Sequence, residues 1–317
     1  MAATDLSVII VSYNTQDLLR RTLEELRLAT VGINAQVIVV DNASRDASAE
    51  MVQQDFPEVE LIANRENIGF GRANNQAMHY ALGRYVLLLN PDAFVPPDGL
   101  RKTVAYMDRN PGCGILGVRL EDSDGTPLPG PRNFLKPWPM FVNRLGLQGV
   151  FPGTRLVDDP ARGLDVTQGC DWVTGCFYLV RRRLVDEIGL FDPRYFLYCE
   201  EVDHCLAARK AGWEVVYFAE VTVVHLGGES ARTCGELTPY KQIESYQMES
   251  ELLYFQKNHG TGTLLLHLVL VTLADGVDML KQLVRSRPGR SLKGLLRHVG
   301  MQWSLFRRTN YGVKPTR

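Results

Sequence analysis

The first turn of the chain lacks the glycine-rich patterns that most often bind nucleotide phosphates. Neither G-x-G-x-x-G nor G-x-x-x-x-G-K-[ST] occurs there, where the sequence reads VSYNTQD. This segment has no glycine and no basic residue, which disfavours a nucleotidyltransferase as well as a dinucleotide-type or P-loop cradle. A nucleotide bound here needs another group, such as a divalent metal ion, to neutralise its phosphates.

Cysteine pairs and long apolar runs are also scarce. The six cysteines form no C-x-x-C pair, so a zinc site is disfavoured. No basic region or cleavage site precedes the N-terminal apolar run, which we interpret as a buried strand rather than a signal peptide, with free thiols in a reducing compartment. The apolar run Thr263–Leu273 has about eleven residues, whereas a spanning helix needs about 20.

The net charge of −1 conceals an asymmetry. Lys281–Arg317 has ten Lys or Arg and no acidic residue, while the remaining 280 residues carry 25 basic and 36 acidic side chains. Leucines interleaved with these charges, together with Trp303 and Phe306, are typical of a helix at a lipid interface. We predict an anionic membrane surface as the partner of this tail; packing on the body or in a homodimer is the alternative. Nucleic acid binding is disfavoured, because the tail has no interleaved aromatic platform.

Strands and helices alternate through the first third of the chain. Short runs of Val, Ile and Leu predict buried strands, and apolar residues at helical spacing predict helices between them. This alternation requires a largely parallel sheet covered on both faces, an α/β fold. The predicted strands are Leu6–Ser12, Gln36–Val40, Val59–Ala63 and Arg84–Leu89, and the predicted helices are Thr15–Ala29, Ser44–Gln54 with Ser44 as N-cap, Gly71–Leu82 and Asp98–Arg109.

The rest of the chain is less regular. Glu121–Gly163 is rich in Pro, Gly and Asp, which predicts a long binding loop or lid with one short helix near Pro139–Leu147. Regular structure is predicted to return in strands Trp172–Val180 and Trp213–Phe218 and in helices Arg181–Ile188, Glu201–Ala211 and Lys241–Asn258.

Polar residues follow all four N-terminal strands. Ligands of open parallel sheets bind at the carboxyl ends of the strands, so these residues are expected to share one edge. One such residue would be explained as a helix cap, but four successive strand ends favour a binding site. Asp92 is the candidate ligand for Mg²⁺ or Mn²⁺, which are commonly held by carboxylates and substrate phosphates; its alternative is a turn former.

A second candidate site lies in FDPRYFLYCEEVDHCLAARKAGW. Glu200, Glu201 and Asp203 begin a predicted helix, where the helix dipole also favours acidic residues. Three carboxylates exceed what capping needs, and the preceding aromatic residues would desolvate them, which raises the pKa of a carboxyl and suits a general base. His225 follows a predicted strand and precedes a Gly pair, a position that favours a role in a site.

Seven ordered motifs resemble the family 2 glycosyltransferases, with the closest likeness to bacterial rhamnosyltransferases of cell-wall and O-antigen assembly. The resemblance implies a GT-A fold for residues 1–260 and inversion of anomeric configuration, and it leaves 261–317 as a basic, membrane-associating helical extension. The motifs are VSYNTQDLLRRTLEEL, VVDNASRDAS, NRENIGFGRANNQ, LLLNPDA, WVTGCFYLVRR, FDPRYFLYCEEVDHCLAARKAGW and VVHLGG.

The resemblance also implies roles in binding the donor. Asp41 is expected to contact the nucleotide base. The Asp-x-Asp metal motif appears as Asn90-Pro91-Asp92, so Asp92 is expected to be the principal metal ligand, completed by His225. The other residues expected around the nucleotide sugar are Ser12, Tyr13, Asn14, Asn67, Gly69, Arg72 and Asn90.

On the acceptor side, the resemblance implies that Glu201 is the catalytic base beside Glu200. The residues expected to border the acceptor are Trp172, Thr174, Gly175 and Asp203. The expected donor is dTDP-rhamnose and the expected acceptor a polyprenyl-diphosphate-linked saccharide, at the cytoplasmic face of the plasma membrane. A UDP-sugar transferase and a degenerate, non-catalytic scaffold are the alternatives, the latter suggested by Asn90.

Overall fold

The computed structural model describes residues 4–156, 164–227, 239–285 and 292–317. One sheet forms its centre, with strand order β3-β2-β1-β4-β8-β6-β9-β5 and β7 paired to β9. The strands are β1 (Leu6–Ser12), β2 (Ala35–Asp41), β3 (Glu60–Ala63), β4 (Tyr85–Leu89), β5 (Ala93–Phe94), β6 (Cys113–Glu121), β7 (Gln168–Gly169), β8 (Phe177–Arg181) and β9 (Glu214–His225).

Strands β1 to β4 pair in parallel, as predicted. Beyond β4 the sheet is mixed, because β8 pairs antiparallel to both β4 and β6, and β6 pairs parallel to β9. Alternate residues of β1 enter two separate hydrophobic clusters, with Ile9 in one and Val8 in the other. Both faces of the sheet are therefore covered, which explains why every residue of β1 is buried.

Helices connect and cover the strands. Where a helix was predicted, the structure has one, with ends shifted by a few residues in most cases. Ser44 is not an N-cap: it lies in a loop, and the helix begins at Ser48. The helices are α1 (Gln16–Ala29), α2 (Ser48–Asp55), α3 (Phe70–Met78), α4 (Gly99–Arg109), α5 (Pro137–Arg144), α6 (Arg182–Ile188), α7 (Glu200–Lys210), α8 (Pro239–Arg285) and α9 (Leu292–Arg308).

Strand β6 was not predicted, although it lies inside the sheet. Its sequence, CGILGVRLE, contains two glycines, which weaken a strand pattern. Tertiary packing requires both of them: a Cβ on Gly117 would lie 2.6 Å from Val173, and one on Gly114 would lie 2.9 Å from Trp213. The long irregular segment begins where β6 ends, at Glu121 as predicted, and part of it, 157–163, lies outside the described residues.

Helix α8 is much longer than predicted and bends once. Its backbone leaves the helical region at Gly260 (φ 78°, ψ 174°), next to the predicted boundary between 1–260 and 261–317. Before the bend, the ammonium group of Lys257 bridges Asp192 and Asp203, at 2.7 and 2.6 Å. After it, the buried carboxylate of Asp275 binds His298 of α9 and Arg144 of α5. The division into two domains stays a prediction, but these contacts tie the extension to the body.

One face of α8 beyond the bend is apolar and exposed. A helix advances about 100° per residue, so its exposed positions share a sector about 100° wide. Within the described residues, 244–281 is the one helical stretch long and apolar enough to cross a membrane, and a third of its most apolar window is buried in the molecule. The exposed residues of this face are Leu265, Leu266, Val269, Leu273 and Leu280.

Candidate active site

A cavity of about 450 Å³ opens at the carboxyl ends of β1, β2 and β3. Asp41, the last residue of β2, is only 4% exposed. Its Oδ2 accepts a hydrogen bond from the Ser44 backbone N–H at 3.0 Å, while its Oδ1 is buried and has no partner. An unpartnered buried carboxylate oxygen calls for a donor from a ligand. The lining residues are Tyr13, Asp41, Ala43, Ser44, Arg45, Asn64, Arg65, Glu66 and Asn67.

Asn14 joins the two loops that form one side of this cavity. Its backbone N–H donates to Ser44 Oγ at 2.9 Å, and its Oδ1 accepts from the Arg45 N–H at 2.6 Å. Asn14 has a positive φ of 53°, which asparagine tolerates better than most residues. Ser12 lies below, fully buried, and its Oγ is 2.9 Å from Thr15 Oγ1. Ser12 and Asn14 therefore shape the cavity, whereas Tyr13 lines it.

The opposite side of the cavity is held by a network of asparagine side chains. Buried Asn42 donates to Asn67 Oδ1 at 2.9 Å and accepts from the Ile68 N–H at 3.1 Å. Gly69 follows with a φ of 89°, and a Cβ there would lie 2.6 Å from the carbonyl oxygen of Phe196. Gly69 thus permits close approach of the segment that leads to Glu200, and it does not itself line the cavity.

Arg72 does not line this cavity, and its role in binding the donor stays a prediction. Its Nε donates to the carbonyl of Pro193 at 2.7 Å, and its Nη2 donates to the carbonyl of Arg317 at 3.2 Å. It is not among the residues that line the cavity. Arg45 and Arg65 are the cations that line it instead, and both lie in motifs that the sequence displays, VVDNASRDAS and NRENIGFG.

Asn90, Asp92 and His225 come together at the neighbouring strand ends. Ala93 pairs with His225 across β5 and β9, which brings His225 Nε2 to 3.3 Å from Asp92 Oδ1 and 3.3 Å from Asn90 Nδ2. Asp92 is 3% exposed. Burial lowers the pKa of His225, but hydrogen bonds to Asp92 and to the Cys176 sulfur outweigh it and raise that pKa to about 10.

The chemistry of this donor set fits Mg²⁺ or Mn²⁺. One carboxylate lies 3.3 Å from one imidazole, and these ions are commonly held by one or two carboxylates together with water and substrate phosphates. Asp92 would therefore be the principal ligand, and His225 would join it only in its neutral form, after losing the proton that its raised pKa favours. Among the described residues there is no group of three or more His, Cys, Asp or Glu that would hold a metal by itself. The arrangement suits an ion that is shared with a bound diphosphate.

Glu200 and Glu201 begin α7 after a strained turn. Tyr198 and Cys199 both have positive φ values, 72° and 65°, which are uncommon for such residues and cluster at functional sites. The Phe70 N–H holds this turn by donating to the Phe196 carbonyl at 2.9 Å. A Cβ placed on Gly71 would lie 3.8 Å from the Cβ of Glu200, so Glu200 faces α3. Glu201 faces Gly175 in the same way.

The two carboxyl groups differ in their surroundings. Burial and the neighbouring Glu201 charge raise the pKa of Glu200 well above its usual range. Burial also raises the pKa of Glu201, but backbone N–H groups and the charge of Arg132 oppose this effect. Each glutamate has one buried oxygen, Oε2, without a partner. Glu201, which is less buried, is thus the better placed of the two to exchange a proton with a ligand.

A short segment, Thr174–Cys176, links the two halves of the site. A Cβ on Gly175 would lie 3.9 Å from the Cβ of Glu201, and the Cys176 carbonyl accepts from the Asn90 N–H at 3.0 Å. The Cys176 sulfur also contacts His225. Glu201 and the Asp92–His225 pair therefore flank the same three residues and lie on one side of the molecule.

Arg132 belongs to this neighbourhood but was not singled out from the sequence. Its backbone pairs with Trp172 across a β-bridge, and its guanidinium lies 4.9 Å from the centre of the Trp172 ring. Trp172 is fixed by its indole N–H, which donates to the Asn133 carbonyl at 2.9 Å. No local pattern marks Arg132, because it lies in a Pro- and Gly-rich loop and its contacts come from residues 40 or more positions later.

Asp203 has a structural environment. One oxygen accepts from Lys257 at 2.6 Å and the other from Asn258 at 2.7 Å, both in α8. The carboxylate is 5% exposed. This position gives no support to the acceptor-binding role implied for Asp203, because both oxygens are used to attach α8.

Comparison with known proteins matches residues 7–188 to the model of glycosyl transferase family 2. The chain belongs to this family. A relative in Mycobacterium tuberculosis, an N-acetylglucosaminyl-diphospho-decaprenol L-rhamnosyltransferase, is 30% identical over 239 residues, 69% of this chain and 75% of the relative. The rhamnosyltransferase WbbL of Escherichia coli is 25% identical, over 71% of this chain and 85% of its own.

Solved structures show the same GT-A-like fold. The mannosyltransferase PcManGT from Pyrobaculum calidifontis, in complex with GDP-Man and Mn²⁺, superimposes with a TM-score of 0.55 at 16% identity, over 99% of this chain and 89% of its own. Staphylococcus aureus TarS 1-349 gives 0.51 at 13% identity, over 98% and 92%. The family match ends at residue 188, before Glu201 and His225, so their roles depend on geometry.

Proposed function

We propose that this family 2 glycosyltransferase is an inverting, metal-dependent hexosyltransferase that transfers rhamnose from dTDP-rhamnose to a hydroxyl of a polyprenyl-diphosphate-linked saccharide. The observation that carries the proposal is the segment Thr174–Cys176: a Cβ on Gly175 would lie 3.9 Å from the Cβ of Glu201, and the Cys176 sulfur contacts His225 of the Asp92–His225 pair. This neighbourhood supports a base and a site for a diphosphate-bound ion that act on one sugar, as a single displacement requires.

Different residues of the chain have different roles in the proposed reaction. Asp92 and His225 would hold Mg²⁺ or Mn²⁺, which supplies Lewis-acid stabilisation of the departing diphosphate. Glu201 accepts the proton of the acceptor hydroxyl as that oxygen attacks the sugar carbon from the face opposite the diphosphate. The attack inverts the configuration at that carbon. Asp41 binds the nucleotide base at the far end of the donor.

Asp41 is compatible with a pyrimidine nucleotide. Thymine and uracil each present a ring N–H, which can donate to the unpartnered Oδ1 at the bottom of the cavity. The rhamnosyltransferases among the relatives favour a rhamnose donor and, by the name of the mycobacterial relative, a lipid-diphosphate acceptor. A UDP-sugar transferase is the second candidate, because the same carboxylate oxygen would accept from uracil.

A transfer assay tests the proposal. We expect the purified protein with Mn²⁺ to move rhamnose from dTDP-rhamnose to a short-chain polyprenyl-diphosphate-GlcNAc, with the new linkage inverted by NMR. UDP-sugars offered in parallel should be poor donors. Absence of both transfer and donor hydrolysis at every Mn²⁺ concentration would indicate a non-catalytic scaffold.

Replacement of Asp41 by Asn should raise the KM for the donor about 10- to 100-fold, the cost of losing a hydrogen bond to a charged group, and should change kcat little. Steady-state kinetics with varied donor measure this. Asp46→Asn is the matched control, because Asp46 holds the Gln16 and Ser48 amides in the same loop without lining the cavity. An unchanged donor KM in Asp41→Asn would remove Asp41 from the binding site.

The exposed apolar face of α8 is the proposed contact with the membrane. Leu266, Val269 and Leu273 each expose about half of their surface on one side of the helix. The basic side chains of Arg297, Arg307 and others lie in the following helix, which suits anionic lipid headgroups. We propose that this contact holds the enzyme at the cytoplasmic surface of the plasma membrane, where it would meet a lipid-linked acceptor.

Vesicle flotation tests the membrane contact. Replacing Leu266, Val269 and Leu273 with Ser should abolish co-flotation with phosphatidylglycerol vesicles. The replacement removes the exposed apolar surface, about half of each side chain, that lipid would otherwise shield from water. Serine at Leu28, Val31 and Leu82, which are exposed on the body, is the matched control and should float normally. Unchanged flotation accompanied by a switch from dimer to monomer would assign the face to a homodimer instead.

A further inference from the structure

Arg132 lies near the proposed catalytic base, Glu201, and has no ion-pair partner among the described residues. Its Nε is shielded from solvent and makes no hydrogen bond, and within the described residues no carboxylate forms an ion pair with it. Other inward-facing arginines are satisfied: Arg181 donates to three backbone carbonyls, and Arg144 binds Asp275. Burial lowers the pKa of Arg132, which is the expected cost of a charge removed from water without compensation.

The backbone and ring contacts of Arg132 hold it in place. The β-bridge to Trp172 and the ring below the guanidinium restrict its movement toward solvent. The charge of Arg132 acts on Glu201, and the charge of Glu201 acts on Arg132, although no ion pair joins them in the part of the chain described. A preorganised cation near the base is suited to bind an anion that arrives with the substrate.

Reaction geometry decides which substrate brings that anion. In a single displacement the base and the leaving diphosphate lie on opposite faces of the sugar carbon. In the proposed reaction, Asp92 and His225 would hold the ion that stabilises the leaving diphosphate. Arg132 instead lies beside Glu201 and the Trp172–Gly175 segment. An anion at Arg132 therefore belongs to the acceptor.

We propose that Arg132, supported by the Trp172 ring, is the binding site for a phosphate of the acceptor's lipid diphosphate. This rests on the proposed function and adds to it the residue that selects a phosphorylated acceptor. Arg132 thereby positions the acceptor hydroxyl near Glu201 and discriminates against neutral glycosides with the same sugar.

Binding of decyl diphosphate in the presence of saturating dTDP and Mn²⁺ tests the proposal without requiring transfer. We expect Arg132→Gln to raise the Kd for decyl diphosphate about 10- to 100-fold, the effect of losing a hydrogen bond to a charged group. Arg132→Lys should raise this Kd less. The affinity for dTDP should not change. Arg119→Gln is the control, since Arg119 is half-buried but already paired with Glu121.

Equal affinity of the wild type and Arg132→Gln for decyl diphosphate would overturn the assignment, as would a loss of dTDP affinity, which would place Arg132 on the donor side.

Kinetics with two acceptors, one sugar linked through a diphosphate and the same sugar linked as a neutral decyl glycoside, give a second test. Arg132→Gln should abolish the preference for the diphosphate. An equal loss with both acceptors and a shifted pH profile would show that Arg132 acts only on Glu201. If the wild type binds decyl diphosphate through Arg132 but transfers no sugar, the proposed function fails and the phosphate site stands.

Discussion

Replacement of Glu201 by Gln should lower kcat by about 10²- to 10⁴-fold, the usual contribution of a general base, while the Kd for dTDP stays unchanged. The amide cannot accept the proton of the acceptor hydroxyl, but it keeps the size of the side chain. Single-turnover transfer and nucleotide titration, measured on the same preparation, separate the two effects. Equal losses of transfer and of nucleotide binding would mean that Glu201 supports the site rather than acting as its base.

Glu200→Gln is the matched control for this substitution. Burial and the adjacent Glu201 raise the pKa of Glu200 well above its usual range, so the neutral acid predominates and glutamine resembles it. Because the raised pKa of Glu200 favours the neutral acid, we expect a much smaller effect on kcat than for Glu201→Gln. A severe loss in Glu200→Gln, together with a mild one in Glu201→Gln, would exchange the roles of the two residues.

The dependence of kcat on pH follows from the same contacts. A base must be ionised to accept a proton, so kcat should fall as the pH decreases through the pKa of Glu201. Burial raises that pKa, so the loss should begin at a higher pH than an exposed glutamate would give, and Arg132 limits the shift. The residual activity of Glu201→Gln should lack this acidic limb.

Replacement of Asp92 by Asn should lower kcat/KM at least about 100-fold, because an ion held by Asp92 would stabilise the departing diphosphate in the transition state by several kcal/mol. Asp92 is the buried carboxylate at this strand end, and it lies 3.3 Å from His225. Activity against Mn²⁺ concentration, with Mn²⁺ binding followed by EPR, measures the change. Unaltered Mn²⁺ affinity would exclude Asp92 as a ligand.

The Asn90→Asp variant is the complementary test. It introduces the first acid of the Asp-x-Asp motif beside His225, whose Nε2 lies 3.3 Å from the present amide nitrogen of Asn90. If the ion lies between Asp92 and His225, the added carboxylate should tighten Mn²⁺ binding and leave transfer intact. Weaker Mn²⁺ binding in this variant would place the ion elsewhere, and a catalytically degenerate scaffold would show no turnover in either form.

Local sequence patterns predicted the N-terminal half of the sheet and the edge where ligands bind. Runs such as Leu6–Ser12 are buried on both faces, so composition alone marks them as strands. The polar residues after them had to meet because parallel strands end on the same side. The motif resemblance predicted the family, which the match over 7–188 confirms.

Patterns failed where distant packing controls the outcome. The glycines of β6 obscure a central strand, although Gly117 is needed so that Val173 can approach. Arg72 and Asp203 lie in the expected motifs, yet Pro193 and Lys257, far away in the chain, occupy their side chains. No spacing rule contains those partners, and the substrate roles that the motifs implied for both residues stay predictions.

The sequence alone determined the family, the parallel strands and the candidates Asp41, Asp92 and Glu201, because strand burial, strand-end position and motif order are local properties. Tertiary structure decided which candidates meet: it placed Asp92 beside His225, turned Asp203 toward α8 and brought Arg132 next to Glu201. The physical reason is that contacts between residues many positions apart arise from sheet order and loop packing, which local spacing does not encode.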